Sequence, residues 1–149
     1  MPAADTLARL EFSSSVDMLE IVGIVTERVG RLARLDDESL HWVTMAVRES
    51  VINAVKHGNK SDSSKSVFVE FECSRSPAPA QLTVRVRDQG AGFDPDALAD
   101  PLTPENVLKS GGRGVFLIRN FMDEVALRRA PEGGMEIRMV KRASPESST

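Results

Sequence analysis

Apolar residues recur at two different periods along this chain, and the changes of period mark out its elements. In VDMLEIVGIVTERVGRLARL, Leu19, Val22, Val25, Val29 and Leu32 fall at helical spacing, and Ser15 just before it carries an N-cap side chain. That predicts a first amphipathic helix, preceded by a short strand in ARLEFSSS. A second, longer helix is predicted in DDESLHWVTMAVRESVINAVKHGN. Its opening carboxylates suit the positive end of the helix dipole, Leu40, Val43, Val47, Val51 and Ala54 form its stripe, and Gly58 is expected to end it.

Beyond the polar loop NKSDSSKS the period shortens to two. Val67, Val69, Phe71 and Cys73 fall on one face of a strand, with Phe68, Glu70 and Glu72 on the other. SRSPAPAQ breaks that strand, and LTVRVRD begins another with Leu82, Val84 and Val86 inward. Residues 94–113 hold prolines and glycines without apolar periodicity, which predicts a long loop with at most a short helix near Pro95 to Ala99. A third helix is expected from about Gly114 to Met122, then strands around Glu124 to Arg129 and Met135 to Lys141 across the turn PEGG. No repeat or linker divides the chain. The expected architecture is a single domain over residues 1–143, an α+β two-layer sandwich with a mixed, mostly antiparallel sheet and three main helices on one face, followed by a disordered tail at 144–149.

Composition narrows the function classes. A chain of 149 residues suits one domain with its own core, and 41% hydrophobic with 28% charged residues is ordinary for a globular protein. The formal net charge of -3 argues against a general nucleic-acid binder. Cys73 has no second cysteine to pair with, and MPAADTLARLEF lacks the basic-then-apolar order of a signal peptide. No apolar run approaches the roughly 18 to 20 residues that span a bilayer. A reducing cytoplasm, away from membranes, is the expected location.

Three stretches carry candidate chemistry. Asp88 shares the parity of Leu82, Val84 and Val86, so it points to the helix-covered side of the sheet, where a carboxylate needs a donor. Gly90 and Gly92 follow; glycine tolerates positive φ and lets another molecule approach the backbone closely. Two readings stand at this point: a tight turn capped by Asp88, or a cleft in which a ligand's amino group donates to it. In ESVINAVKHGN, Glu49 and Asn53 lie four apart and therefore one helical turn above each other. The pair suits metal–phosphate chemistry, because magnesium takes oxygen ligands and commonly needs only one or two protein groups plus phosphates. Asn53 would ligate the ion and Glu49 would orient or deprotonate a nucleophile; the plainer alternative is a solvated polar face. His57, at the same spacing, reads as a helix-end residue. KSGGRGVFLI sets glycines before an apolar helix, exposing orphan N–H groups to an anion, with Lys109 and Arg113 adding charge suited to a triphosphate. No Gly-Lys-Ser/Thr closes it and no βαβ unit surrounds it, so neither a Walker loop nor a dinucleotide fingerprint is present.

Taken in order, ESVINAVKHGN, RDQGAGFDPDAL and GGRGVFLIRNFMDEV resemble the GHKL ATP-binding superfamily, and most closely its anti-sigma-factor serine kinases, over about residues 10–141. The resemblance implies the Bergerat fold and ATP with Mg2+ as cofactors. It implies that Asn53 holds the magnesium, Asp88 accepts from the adenine amino group, Gly90 and Gly92 admit the purine, and Gly112 and Gly114 border the phosphates. Residues 95–111 would form the lid, and Glu49 would be the general base toward a serine hydroxyl. The chain departs from the pattern at Met135, where relatives often carry threonine near the adenine, and at Ser110, where some carry arginine. Lys109, one residue earlier, lacks the planar fork that grips phosphate in two places.

The resulting expectation is an ATP-dependent serine protein kinase that phosphorylates an anti-anti-sigma (STAS-domain) protein and sequesters a sigma factor. A nucleotide-gated binding module without phosphotransfer is the alternative: Glu49 speaks for the kinase, the Lys109 and Ser110 departure for the module. A detached histidine-kinase catalytic domain fits the FLIRNFMDEV phrase less well. The resemblance also implies a homodimer, for which the helix from Val22 to Leu32 or the first strand could supply an interface.

Overall fold

The computed structural model of the chain describes residues 5–76, 78–90 and 112–144. Strand β1 (Asp5–Ser13) passes through a 3-10 turn (Val16–Met18) into α1 (Leu19–Leu32). Helix α2 (Asp37–Asn53) continues without a break into a π-helical turn (Ala54–Gly58). There follow β2 (Ser66–Ser74), β3 (Gln81–Arg87), α3 (Gly112–Phe121), β4 (Glu124–Arg129) and β5 (Met135–Arg142). The strands lie in the order β1-β2-β3-β5-β4, and every pairing among them is antiparallel. This is the α+β arrangement that the patterning predicts.

Alternation builds the dry face of this sheet row by row. Leu10, Val69, Val86, Ile137 and Leu127 are successive cross-strand partners, and so are Ala8, Phe71, Val84, Met139 and Val125. Because partners share a face, each row presents five apolar side chains to the helices. Phe71, Val84 and Met139 are completely buried, in one cluster with Val22 and Val29 of α1 and Val43, Val47 and Val51 of α2. Each such side chain contributes about 1.5–3 kcal/mol relative to exposure, so these rows dominate the packing. The opposite face is charged: Arg9 meets Glu70 at 2.7 Å, Arg128 meets Glu136 at 2.5 Å, Arg85 pairs with Glu70 and Glu72, and Arg87 lies 3.9 Å over the Phe68 ring.

Local chemistry sets the helix ends. Asp36 caps α2, its Oδ1 accepting from Ser39 N–H at 2.7 Å. That backbone donor, then the Ser39 hydroxyl, holds the Asp36 carboxyl below the usual carboxylate range. A carboxyl depressed by folding stabilises the fold above its unfolded pKa, and the contribution disappears as pH falls through the folded one. Asp36→Ala should therefore lower stability near neutrality and flatten the acid limb of a denaturation-against-pH curve; a variant whose acid limb matches wild type would exclude the cap from that dependence. At the other side of the layer, Trp42 of α2 stacks on Phe121 of α3, with centroids 4.8 Å apart and planes at 22°. The Lys141 ammonium donates to Phe121 O at 2.8 Å, supplying a partner for an orphan carbonyl at the α3 end.

Some boundaries differ from expectation for local reasons. Ser15 is a cap, accepting from Asp17 N–H at 3.1 Å, but of the 3-10 turn that precedes α1. Leu32 is 52% exposed although it continues the α1 stripe. The helix ends there and Arg34 takes a φ of 64°, so the chain turns and buries Ala33 and Leu35 instead. Ile21 and Ile24 are also exposed, which leaves α1 with an outward apolar strip. Among the described residues no helix is long and apolar enough to cross a membrane.

Candidate functional site

Helix α2 is buried along Leu40, Val43, Val47 and Val51, and this orientation determines where its polar residues emerge. Glu49 and Asn53, one turn apart, both sit half-buried at the margin of that stripe. Asn53 is the last α-helical residue. Immediately after it the helix widens, and Asn59 N–H closes the π turn on Ala54 O at 2.8 Å. Such turns are uncommon and are enriched where a helix must aim a residue at a site.

Asp88 follows β3 and is 5% exposed on the helix side, as its parity predicts. Its backbone N–H donates to Met135 O at 3.0 Å, while its Oδ1 accepts from Met135 N–H at 3.1 Å and Gly90 N–H at 3.0 Å. Both of those side-chain bonds land on Oδ1. The Oδ2 edge faces Gly58, where an added Cβ would overlap Oδ2 and Cγ of the carboxylate. At Gly90 an added Cβ would overlap the Gly58 carbonyl. The two glycines thus let the end of β3 lie directly on the π turn that follows Asn53.

That contact explains both glycines better than backbone freedom does. Gly58 is at the end of the π turn, yet the left-handed residues that redirect the chain are Lys60 and Ser61, with φ of 52° and 58°. Among the described glycines only Gly133 and Gly134, in the turn between β4 and β5, have positive φ. Gly90 therefore serves close approach, and the tight-turn and inward-carboxylate readings of Asp88 are compatible: one oxygen caps the turn.

The remaining sequence candidates divide. Gly112, Arg113 and Gly114 form the first turn of α3, which starts two residues before the expected position. Gly92, Lys109 and the 95–111 segment lie outside the described residues, as does the tail from 145. Among the described residues no group of three or more His, Cys, Asp or Glu is arranged to hold a metal ion. The available oxygen donors at the α2 end are the Asn53 amide and the Glu49 carboxylate, a set that fits magnesium when a ligand's phosphates complete its shell.

The profile described as the histidine kinase-like ATPase domain matches residues 12–141. The chain belongs to this family. The match runs from the end of β1 into β5 and so includes every described element of the site. The serine-protein kinase RsbW of Staphylococcus epidermidis is 29% identical over 148 residues, 95% of this chain and 89% of that protein. The anti-sigma F factor of Oceanobacillus iheyensis is 33% identical over 109 residues, 72% of each chain. The RsbW of Staphylococcus aureus is 26% identical over 148 residues. In this member of the family two residues of ESVINAVKHGN that carry no expected role at the site, Gly58 and Asn59, join it. The first reads as a stop signal and the second as a loop residue, because their partners at Asp88 and Gln89 lie far along the chain.

Proposed function

We propose that this histidine kinase-like ATPase is a serine protein kinase and anti-sigma factor: it binds ATP with magnesium, phosphorylates an anti-anti-sigma (STAS-domain) protein and sequesters a sigma factor. The observation that carries the reading is the direct seating of the Asp88 strand end on the turn that follows Asn53, in a chain similar to named serine-protein kinases and an anti-sigma factor. The strand end bearing the Asp88 carboxylate thereby packs on the turn that continues the helix bearing the Asn53 amide.

In this reading Asp88 accepts from the adenine amino group through the oxygen not used by Gly90 and Met135. Gly90 and Gly92 border the purine; Gly112, Arg113, Gly114 and Lys109 border the triphosphate. Asn53 would hold the magnesium, which would supply charge neutralisation to the phosphates. Glu49 takes the proton of the substrate serine as its hydroxyl oxygen bonds to the γ-phosphorus and the bond to the β–γ bridging oxygen breaks, releasing ADP. The protein's own work is orientation and charge placement, because phosphoryl transfer asks for little covalent chemistry. The 95–111 segment is the proposed lid. The outward strip of Ile21, Ile24 and Leu32 on α1 supports a homodimer, and the cytoplasm is the proposed location.

Incubation with γ-labelled ATP, magnesium and a panel of anti-anti-sigma domains tests this directly. Label is expected on a serine of one of them, and the sigma factor it regulates should be retained by the unlabelled complex. Nucleotide binding with no transfer to any domain would leave a gated binding module in place of a kinase.

A further inference from the structure

Asn59 is fully buried, at 0% exposure, and both ends of its amide are engaged across the fold. Its Nδ2 donates to Ser66 O at 2.9 Å and its Oδ1 accepts from Gln89 N–H at 2.8 Å. The Gln89 side chain returns the link, accepting from Ser66 N–H at 2.7 Å. The partners determine the amide's orientation, because a carbonyl can only accept and a backbone N–H can only donate. No other side chain of this length offers both functions: aspartate ionised lacks the donor, leucine lacks both, and glutamine carries an extra methylene.

This clamp lies between the two halves of the proposed nucleotide site. On one side Asn59 closes the π turn that follows Asn53; on the other it holds Gln89, the residue after Asp88. We propose that Asn59 is a positioning residue, fixing the separation between the helix end bearing Asn53 and the strand end bearing Asp88 so that one MgATP reaches both. The inference rests on the nucleotide reading given above. It assigns to Asn59 no contact with substrate. The effect is selective because Asp88 is tied independently to β5 through both backbone and carboxylate bonds with Met135. Loss of Asn59 leaves the adenine floor in place while the metal-bearing end drifts, and misplacement on this scale penalises only a ligand that spans both anchors.

The experiment compares MgATP, which spans both anchors, with adenosine, which reaches only the Asp88 end, on wild type and Asn59→Ala. MgATP affinity should fall by about tenfold or more while adenosine affinity changes by less than about twofold. Parallel losses for the two ligands, or no loss for either, would reduce Asn59 to scaffold and overturn the inference. A wild-type chain with no affinity for MgATP would overturn the nucleotide reading itself, a separate outcome seen before any variant is made. Should Asn59→Ala fail to fold, Asn59→Asp carries the test. Its carboxyl regains a donor toward Ser66 O only when protonated, so its MgATP affinity relative to wild type should rise as pH is lowered, with the adenosine ratio flat. A ratio independent of pH for MgATP would overturn the proposal.

Discussion

Glu49→Gln is expected to leave MgATP affinity unchanged in calorimetry and to slow label transfer to the anti-anti-sigma domain by about 10²- to 10⁴-fold. Glutamine keeps the length and the hydrogen-bonding reach of the side chain but cannot accept the serine proton. Glu49 sits half-buried on α2 one turn before Asn53, so the substitution leaves the apolar stripe of Leu40, Val43, Val47 and Val51 untouched. A fold defect is therefore not the expected route to lost activity. Transfer at the wild-type rate would remove Glu49 from the mechanism and shift the proton to water or to the nucleotide.

Gly58→Ala should be more damaging to nucleotide binding than the direct substitution Asp88→Asn. In Asp88→Asn the shape survives and a charge-assisted acceptor is lost, a change worth about 1.5–3 kcal/mol of ATP affinity. In Gly58→Ala the new methyl overlaps Oδ2 and Cγ of Asp88, whose backbone is held by Met135. The carboxylate can escape only by rotating away from Met135 N–H and Gly90 N–H, which lie 3.1 and 3.0 Å from Oδ1. Losing two bonds to a charged acceptor and the ligand contact together should weaken MgATP binding by about a hundredfold or more. The same loss should lower the midpoint of thermal unfolding by about 5 to 10 °C without ligand. Calorimetry giving wild-type affinity for Gly58→Ala would show that the position of this carboxylate does not matter to the nucleotide.

The comparison of sequence with structure divides along the range of the contacts. Strict alternation from Val67 to Cys73 and from Leu82 to Val86 is enough to orient β2 and β3, and the same parity by itself places Asp88 under the helices. Helix α2 is legible because its stripe and its opening carboxylates are both local. What local patterning cannot supply is which distant backbone a residue will meet. The insertion of β5 between β3 and β4 pairs Asp88 with Met135, 47 positions later, and no periodicity in either segment indicates this. Gly58 and Gly90 draw attention as punctuation, but the reason each lacks a side chain is the other's strand or turn. Asn59 is hidden for a similar cause: next to a glycine at a helix end, an asparagine reads as a loop residue, and its burial comes from Ser66 and Gln89.

The interlock of Gly58, Gly90 and Asp88 also bears on how such a chain can diverge. A methyl at 58 would overlap the carboxylate and one at 90 the Gly58 carbonyl, so a single replacement at either position should be costly. Relatives separated by identities of 26% to 33% have diverged at many sites. Replacement should be tolerated more readily on the outer face of the sheet, where exchanging an exposed pair such as Arg9–Glu70 costs about 1 kcal/mol or less.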